Sequence, residues 1–556
     1  MRRFFILWMA LSSLLPLQVL SHPTGHIPTM PARETGEEPS AEDVLRTMRR
    51  ATEYMMDEVS VDGGFVWNYL PDFSRQWGEL EARRSMVWLQ SPGTPDVGQL
   101  LLDAYHATHD EYYYQCARKV ALCIVRGQHE SGGWNYMFDL AGTDSLRSWY
   151  ATIGRQAWRL EEFQHYYGNA TFDDEATKHC AEFLLRLYLE RRDAELLIPL
   201  RKAIGFFLTS QYATGGWPQR YPLMHDHPFR GKADYSSFVT LNDNVMAENI
   251  DFLLQCYTQL GLDFLCEPIL RAMHLMRDLQ QPLPLAGWAD QYTPDGLLPA
   301  HARSYEPRSV NTGTTVGVFL LMIEYYRMTG DPSYLRRLPE AITFLEKQAL
   351  PREWAAKVRR TPLQDDEILV PRFIDPDSHR PLYVHRRGSN VGNGAYYTDE
   401  VIEGTIGHYS SFATVSPSRL REILDEAYRL DRAELEKSSP FRQCGRVAPE
   451  KYHYKGIVRW RPGQQPPTPG TIIASMDEKG RWIVPLHQIS HPYQPLPGHL
   501  DESHDTSYGQ TMAGDLYDTS PYENREVKGI STQTYIQNMV LLIRAIEGLE
   551  QLPQRP

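Results

Sequence analysis

Two acidic runs stand out as places where chemistry could occur. Thr240-Leu241-Asn242-Asp243-Asn244 crowds several side-chain oxygens at one helix start, and Asp173-Asp174-Glu175 does the same just after Thr171. One Asp or Thr is enough to cap a helix, because a single oxygen accepts from a free backbone N–H. Calcium instead needs six to eight oxygen ligands, often carboxylates and amide carbonyls. On spacing alone capping is favoured over metal binding, yet two such starts facing one cleft could share a cation. Basic groups form two further clusters. His301-Ala302-Arg303-Ser304-Tyr305-Glu306-Pro307-Arg308 follows Trp288-Ala289-Asp290-Gln291-Tyr292, and Arg372, Arg380, Arg386 and Arg387 gather in a third stretch. Arginine binds carboxylates as a two-pronged fork, so this stretch suits an anion. By themselves both clusters also read as loops with surface ion pairs. Trp217, Tyr235 and Tyr305 could stack on sugar rings or pack loops. For Trp217 packing is favoured, because Trp134 occupies the matching place in an earlier repeat.

These residues are presented by a repeat. Three amphipathic stretches end in Gly63-Gly64-Phe65, Gly132-Gly133-Trp134 and Gly215-Gly216-Trp217. Apolar residues recur in them at three- and four-residue spacing, which predicts helices, and a glycine pair suits the turn that follows. After each comes a loop, then a start at Thr94-Pro95-Asp96, Thr171-Phe172-Asp173 or Thr240-Leu241-Asn242-Asp243, then a second helix. A looser fourth copy begins at Thr314 without the glycine pair. Helix pairs repeated in this way predict an all-α fold, an incomplete α/α toroid over 43–435 whose loops line one cleft. Residues 436–556 read as loop-rich and partly β. Within them TIIASMDEKGRWIVPL is expected to form a hairpin turning at Gly480, and TYIQNMVLLIRAIEGL a final helix packed on the toroid.

The 556 residues carry a net charge of −13 and no long basic run. Nucleic-acid binding, which rests on neutralising phosphates, is therefore excluded. An acidic polymer could bind only through local arginines, a bound cation or both. Met1-Arg2-Arg3 followed by an apolar stretch reads as a secretory signal over 1–22, with a linker over 23–42. The expected location is periplasmic or extracellular, with no membrane span after cleavage, and the expected state is a monomer. Cys116, Cys123, Cys180 and Cys256 fall in helical apolar patterns, as small buried hydrophobes do; with Cys266 and Cys444 they form no metal-binding spacing.

The sequence resembles polysaccharide lyase family 10, the pectic acid lyases. GGWPQRYPL with VTLNDNVM is similar to that family's GGWPQ-x-YP and T-x-N-D-[DN]-A-M. TFDDEAT is similar to T-I-D-N-[GA]-A-T, and WADQYTPDGLLPAHARSYEP to W-x-x-Q-H-D-x-x-T-L-x-P-x-x-A-R-x-Y-E-P. PRFIDPDSHRPLYVHRRG is a weaker match to a fourth block. The blocks occur in family order between about Gly132 and Gly388, and ordered co-occurrence is more specific than any one motif.

The resemblance implies a pectate lyase using Ca2+, with pectate or another polyuronate as substrate. Asp173 and Asp243 match calcium- and substrate-site aspartates. Arg303 matches the arginine that removes the C5 proton of galacturonate, and Arg386 or Arg387 falls where an arginine holds a substrate carboxylate. Asn242, Tyr235, Tyr305 and Trp217 join the candidate substrate contacts. Three departures stand against the pattern. Asp174 replaces an asparagine, Glu175 replaces a small residue, and an arginine-containing run after Gly388 is missing, with His408 the candidate to take its place. Two alternatives stay open: a glycoside hydrolase on the same scaffold, recruiting Glu306 and Asp243, or a protein that binds polyuronate without cleaving it.

Overall fold

A computed structural model describes residues 39–154, 160–225, 227–228, 232–359, 362–387, 395–405, 411–453, 465–487 and 526–550. The expected signal segment and His408 lie outside the described residues. Helix pairs dominate. α1 (Ala41–Tyr54) opens the chain, followed by α2 (Thr94–Thr108) with α3 (Glu111–Arg126) and α4 (Ala176–Arg191) with α5 (Ala194–Ser210). Next come α6 (Val245–Leu260) with α7 (Cys266–Asp278) and α8 (Thr312–Thr329) with α9 (Leu338–Lys347). The last are α10 (Pro417–Tyr428), α11 (Arg432–Ser438) and α12 (Thr532–Glu550).

Side-chain composition decides which helices lie inside. α2 is buried nearly all round, from Val97 through Leu100, Leu101 and Ala104, whereas α3 buries one stripe, Tyr113, Ala117, Val120 and Ile124. An all-round apolar helix belongs to the inner wall and a one-sided helix to the outer one. The inner wall runs α12, α2, α4, α6, with α8 continuing it against α7. α10, α11 and the turn Pro440–Arg442 lean on α8. The fold is all-α with small sheets, as expected of an α/α toroid. Inside it, Lys178 of α4 reaches Glu248 of α6 at 2.8 Å and Glu182 at 3.3 Å, a buried ionic tie between neighbouring inner helices.

The glycine pairs form the predicted turns. The first glycine of each has positive φ and sits over a carbonyl of the next outer helix; a Cβ on Gly215 would lie 2.7 Å from the Arg271 oxygen. The tryptophan then returns its indole N–H to the helix just ended: Trp134 to Ile124 at 2.8 Å and Trp217 to Phe207 at 2.7 Å. Trp288 does the same to Met276 at 2.8 Å, so the fourth copy keeps the turn, with Ala286 at φ 44° standing where the others have glycine.

Two expectations are corrected. TIIAS does not form half of a hairpin. Pro469–Ser475 is a short helix, because Thr468 caps it through the Thr471 N–H and a proline occupies its first turn. The other half, Ile483–His487, is a strand, but it pairs with Glu526–Ser531, which in turn pairs with Asn68–Tyr69. Long-range pairing has overridden the local turn signal at Gly480. The second correction concerns the helix starts, where neither acidic run acts as a cap.

Candidate active site

The starts of α4 and α6 have the same unusual backbone. Asp174 and Glu175 lie at φ 49° and 59°, and Asp243 and Asn244 at φ 49° and 57°. A left-handed residue other than glycine costs about 1 kcal/mol or more, here paid twice in succession at each of two turns. No side chain caps either helix. The turns instead lift carboxylates off the helix ends. Asp173, Asp174 and Asp243 each offer an oxygen within 4.8 Å of the others. The same geometry accounts for the small residue that TFDDEAT replaces with Glu175, since the position is left-handed. The Glu175 carboxylate is not one of the three; it ion-pairs with His179 one turn along α4.

Asp173 is fully buried. Its Oδ2 accepts from Tyr136 Oη at 2.6 Å and from Arg303 Nη2 at 3.2 Å, while its Oδ1 has no partner. Burial works to raise its pKa, but Arg303 and the Tyr136 hydrogen bond outweigh it and hold the carboxyl below the usual range. Asp243 goes the other way: burial, then the charges of Asp173 and Asp174, push it well above the usual value. Asn242 Nδ2 donates to Asp243 Oδ2 at 2.7 Å, and Gln90 Nε2 donates to Asp174 Oδ2 at 2.7 Å. Asn242, a candidate substrate contact from sequence, thus orients Asp243.

Asp173, Asp243 and Arg303 converge, although 130 residues separate Asp173 from Arg303 along the chain. Arg303 is 3% exposed and ringed by acids: Glu162 at 3.0 Å, Asp173 at 3.2 Å and Glu306 at 3.5 Å. Its loop is pinned by Glu161, whose carboxylate accepts from the Ser304 N–H at 2.9 Å and from the Ser304 hydroxyl. Burial pushes Glu161 up to about 7 against those hydrogen bonds. Glu161, Glu162 and Tyr136 escaped the sequence reading. The only signal was an acidic pair on the four-residue helix Glu161–Gln164, too short to show a face.

Beside Asp243 opens a cleft lined among others by Asp290, Glu306, Asn311, Thr314, Arg372 and Phe373. Burial lowers the pKa of Arg372, and Asp290 and Glu306 partly offset this. Arg386 and Arg387 end the strand Pro381–Arg387, paired with Tyr396 and Ala395; their side chains lie outside what is described. Trp217, Tyr305 and Tyr235 are 0%, 1% and 8% exposed, so none presents a ring face to a sugar. Trp217 is a turn residue, as its repeat position implied. Tyr305 packs on Phe373, Val384 and Tyr396 behind the arginine loop.

The model of the pectic acid lyase family matches residues 143–401. That segment is similar to the pectic acid lyases. The match covers somewhat under half of the chain and includes Glu161, Glu162, Asp173, Asp243, Arg303 and Arg372. It supports polysaccharide lyase activity. No curated protein matches the sequence. Among solved structures, the chain overlaps a family 10 polysaccharide lyase from Cellvibrio cellulosa (17% identity, TM-score 0.40, covering 60% of this chain and 98% of that one). A variant of that lyase in complex with trigalacturonic acid gives 17% identity and a TM-score of 0.39, over 60% of this chain and 98% of that one. A GH76 α-mannanase from Bacteroides thetaiotaomicron gives 9% identity and a TM-score of 0.35, over 93% of this chain and 98% of that one. Overlaps this loose assign neither activity nor ligand.

Proposed function

We propose that this protein is an exported lyase that cleaves pectate or a related uronic-acid polymer by calcium-assisted β-elimination. The observation that carries the reading is the convergence of two left-handed acidic turns and Arg303 in one side-chain cluster. Three carboxylates within 4.8 Å, one with a buried oxygen lacking any partner and another held far above its usual pKa, amount to excess negative charge that suits a hard divalent cation. The donor set therefore fits Ca2+, held by Asp173 and Asp243 with Asp174 beside them. When bound, the cation neutralises a uronate carboxylate and acidifies the adjacent C5–H.

The protein's own groups supply the rest. Arg303 takes the C5 proton, the C4–O bond breaks with its electron pair leaving on the oxygen of the neighbouring sugar, which takes a proton from water, and a C4=C5 double bond forms. A guanidinium holds its proton up to about pH 12 or beyond, and here three carboxylates compensate its charge. Only a small neutral fraction can act, so the rate should climb with pH into the alkaline range. Glu162 and Glu306 fix the orientation of the guanidinium, and Arg372 in the adjoining cleft is placed to receive a carboxylate of the polymer. The test is an ultraviolet assay for the unsaturated uronide on a panel of uronic-acid polymers, with calcium and with chelator. Absence of an ultraviolet product from every polymer at every calcium level would sink the reading.

One observation favours a second reading. Glu161 is a buried carboxyl pushed up to about 7, as a glycosidase general acid would be. A hydrolase would release saturated reducing ends with no ultraviolet signal.

A further inference from the structure

Arg220 is a guanidinium at 2% exposure with no carboxylate in ion-pairing distance among the described residues. Its Nη1 donates to Asn135 Oδ1 at 3.1 Å and weakly to Asn169 Oδ1 at 3.4 Å; its Nη2 is buried without a partner. Burying an unpaired charge is costly, so its position calls for a compensating role. The position is the variable one in the GGWPQ-x-YP pattern, so the resemblance assigns it nothing.

Two contacts indicate that role. The guanidinium carbon lies 4.9 Å from the centre of the Tyr136 ring and 4.6 Å from that of Tyr167. Tyr136 in turn donates its hydroxyl to Asp173 Oδ2 at 2.6 Å. A cation over a phenol ring draws electron density from it and makes its O–H a stronger donor. The backbone fixes the relay: Thr171 pairs with Arg220 across a short antiparallel ladder, and the Phe172 N–H donates to Gln219 O at 2.9 Å. The strand bearing Arg220 and the turn bearing Asp173 therefore move together.

We propose that Arg220 is a positioning residue for the acidic cluster. Across the face of Tyr136 its charge strengthens the hydrogen bond that holds Asp173 Oδ2, leaving Oδ1 to the cation. The inference rests on the calcium reading above, since it names the group that orients one of the ligands. Partners of this outer kind typically change metal affinity by about 10–100-fold.

The test is a double-mutant cycle on the full chain with calcium binding read by calorimetry. Arg220→Met and Tyr136→Phe should each weaken binding by about tenfold or more, and the double variant should be no weaker than Tyr136→Phe alone. A merely structural arginine would lower the melting temperature and leave calcium affinity where it was, and that result overturns the proposal. So does a double variant whose loss is the product of the two single losses. If Arg220→Met does not fold, Arg220→Gln, which can still meet the two asparagines, enters the same cycle. Tyr136→Phe removes one oxygen only, and unchanged affinity in that variant also overturns the proposal. Wild-type protein that binds no calcium fails the parent reading and takes this inference with it. Wild-type binding with an inert Arg220→Met fails the inference alone.

Discussion

Arg303 meets three acids and little solvent, so its substitution removes the proposed base and also leaves buried carboxylates unpaired. Arg303→Ala should reduce turnover by roughly 10²–10⁴-fold, the span of a lost general base, with polymer binding largely kept. Steady-state ultraviolet kinetics beside a pull-down on polygalacturonate checks both. Asp243 makes the opposite trade. Its carboxyl is pushed up, so its favourable contribution is present below the usual carboxylate range and fades as pH rises through its elevated value. Without cation, Asp243→Asn should therefore melt higher than wild type near neutral pH, and calcium should no longer raise its melting temperature. Both follow from thermal melts over a pH series with calcium and with chelator. At this scale the sequence was informative where motifs were dense: Asp173, Asp243 and Arg303 were all named and do meet. It was silent on Glu161, Glu162, Tyr136 and Arg220. Their partners lie far along the chain, 141 residues in the case of Glu162 and Arg303, and no local period records such a pairing. Trp217 could be read as a packing residue from its repeat position, whereas Tyr235 and Tyr305 were legible as aromatic but not as buried, because stacking on a sugar and packing under a loop use the same residue types.

The helix pair with its turn is the next unit up, and its glycines are not equivalent. Gly215 has φ 105° and a carbonyl 2.7 Å from where its Cβ would be, whereas Gly205 lies within α5 with nothing inside 4 Å. Gly215→Ala should cost more than about 2 kcal/mol, and Gly205→Ala should gain about 0.5–1 kcal/mol. Chemical denaturation of the two variants gives the comparison directly. The start of α4 carries a second signature. Burial works to lower the His179 pKa, but Glu175 overcomes it and holds the imidazole up at about 9. The stability from that pair is complete below about pH 6.5, the ordinary histidine value, and is lost as pH rises through about 9. Glu175→Gln should flatten the melting curve across that window, which a pH series of melts against wild type would show. The glycine-pair turns could be read from sequence because only a few residues tolerate the backbone they need. The left-handed acidic turns could not, because Asp and Asn serve equally as caps and as left-handed residues.

For the molecule as a whole, the ring depends on its far end. α12 packs on α2 and α1, and Glu526–Ser531 adds a strand beside Asn68–Tyr69. A chain stopped before residue 526 should lose cooperative melting and collect in the insoluble fraction on expression, which a solubility assay would test. The repeat made the toroid legible, whereas the C-terminal sheet was not, because its strands are drawn from opposite ends of the chain. That closure also has a consequence in time. The ribosome makes α12 after every other described helix, so until then the faces of α1 and α2 that it packs on stay uncovered by it. A growing chain cannot finish its core piecemeal from the front, and must be shielded or kept unfolded until its tail emerges.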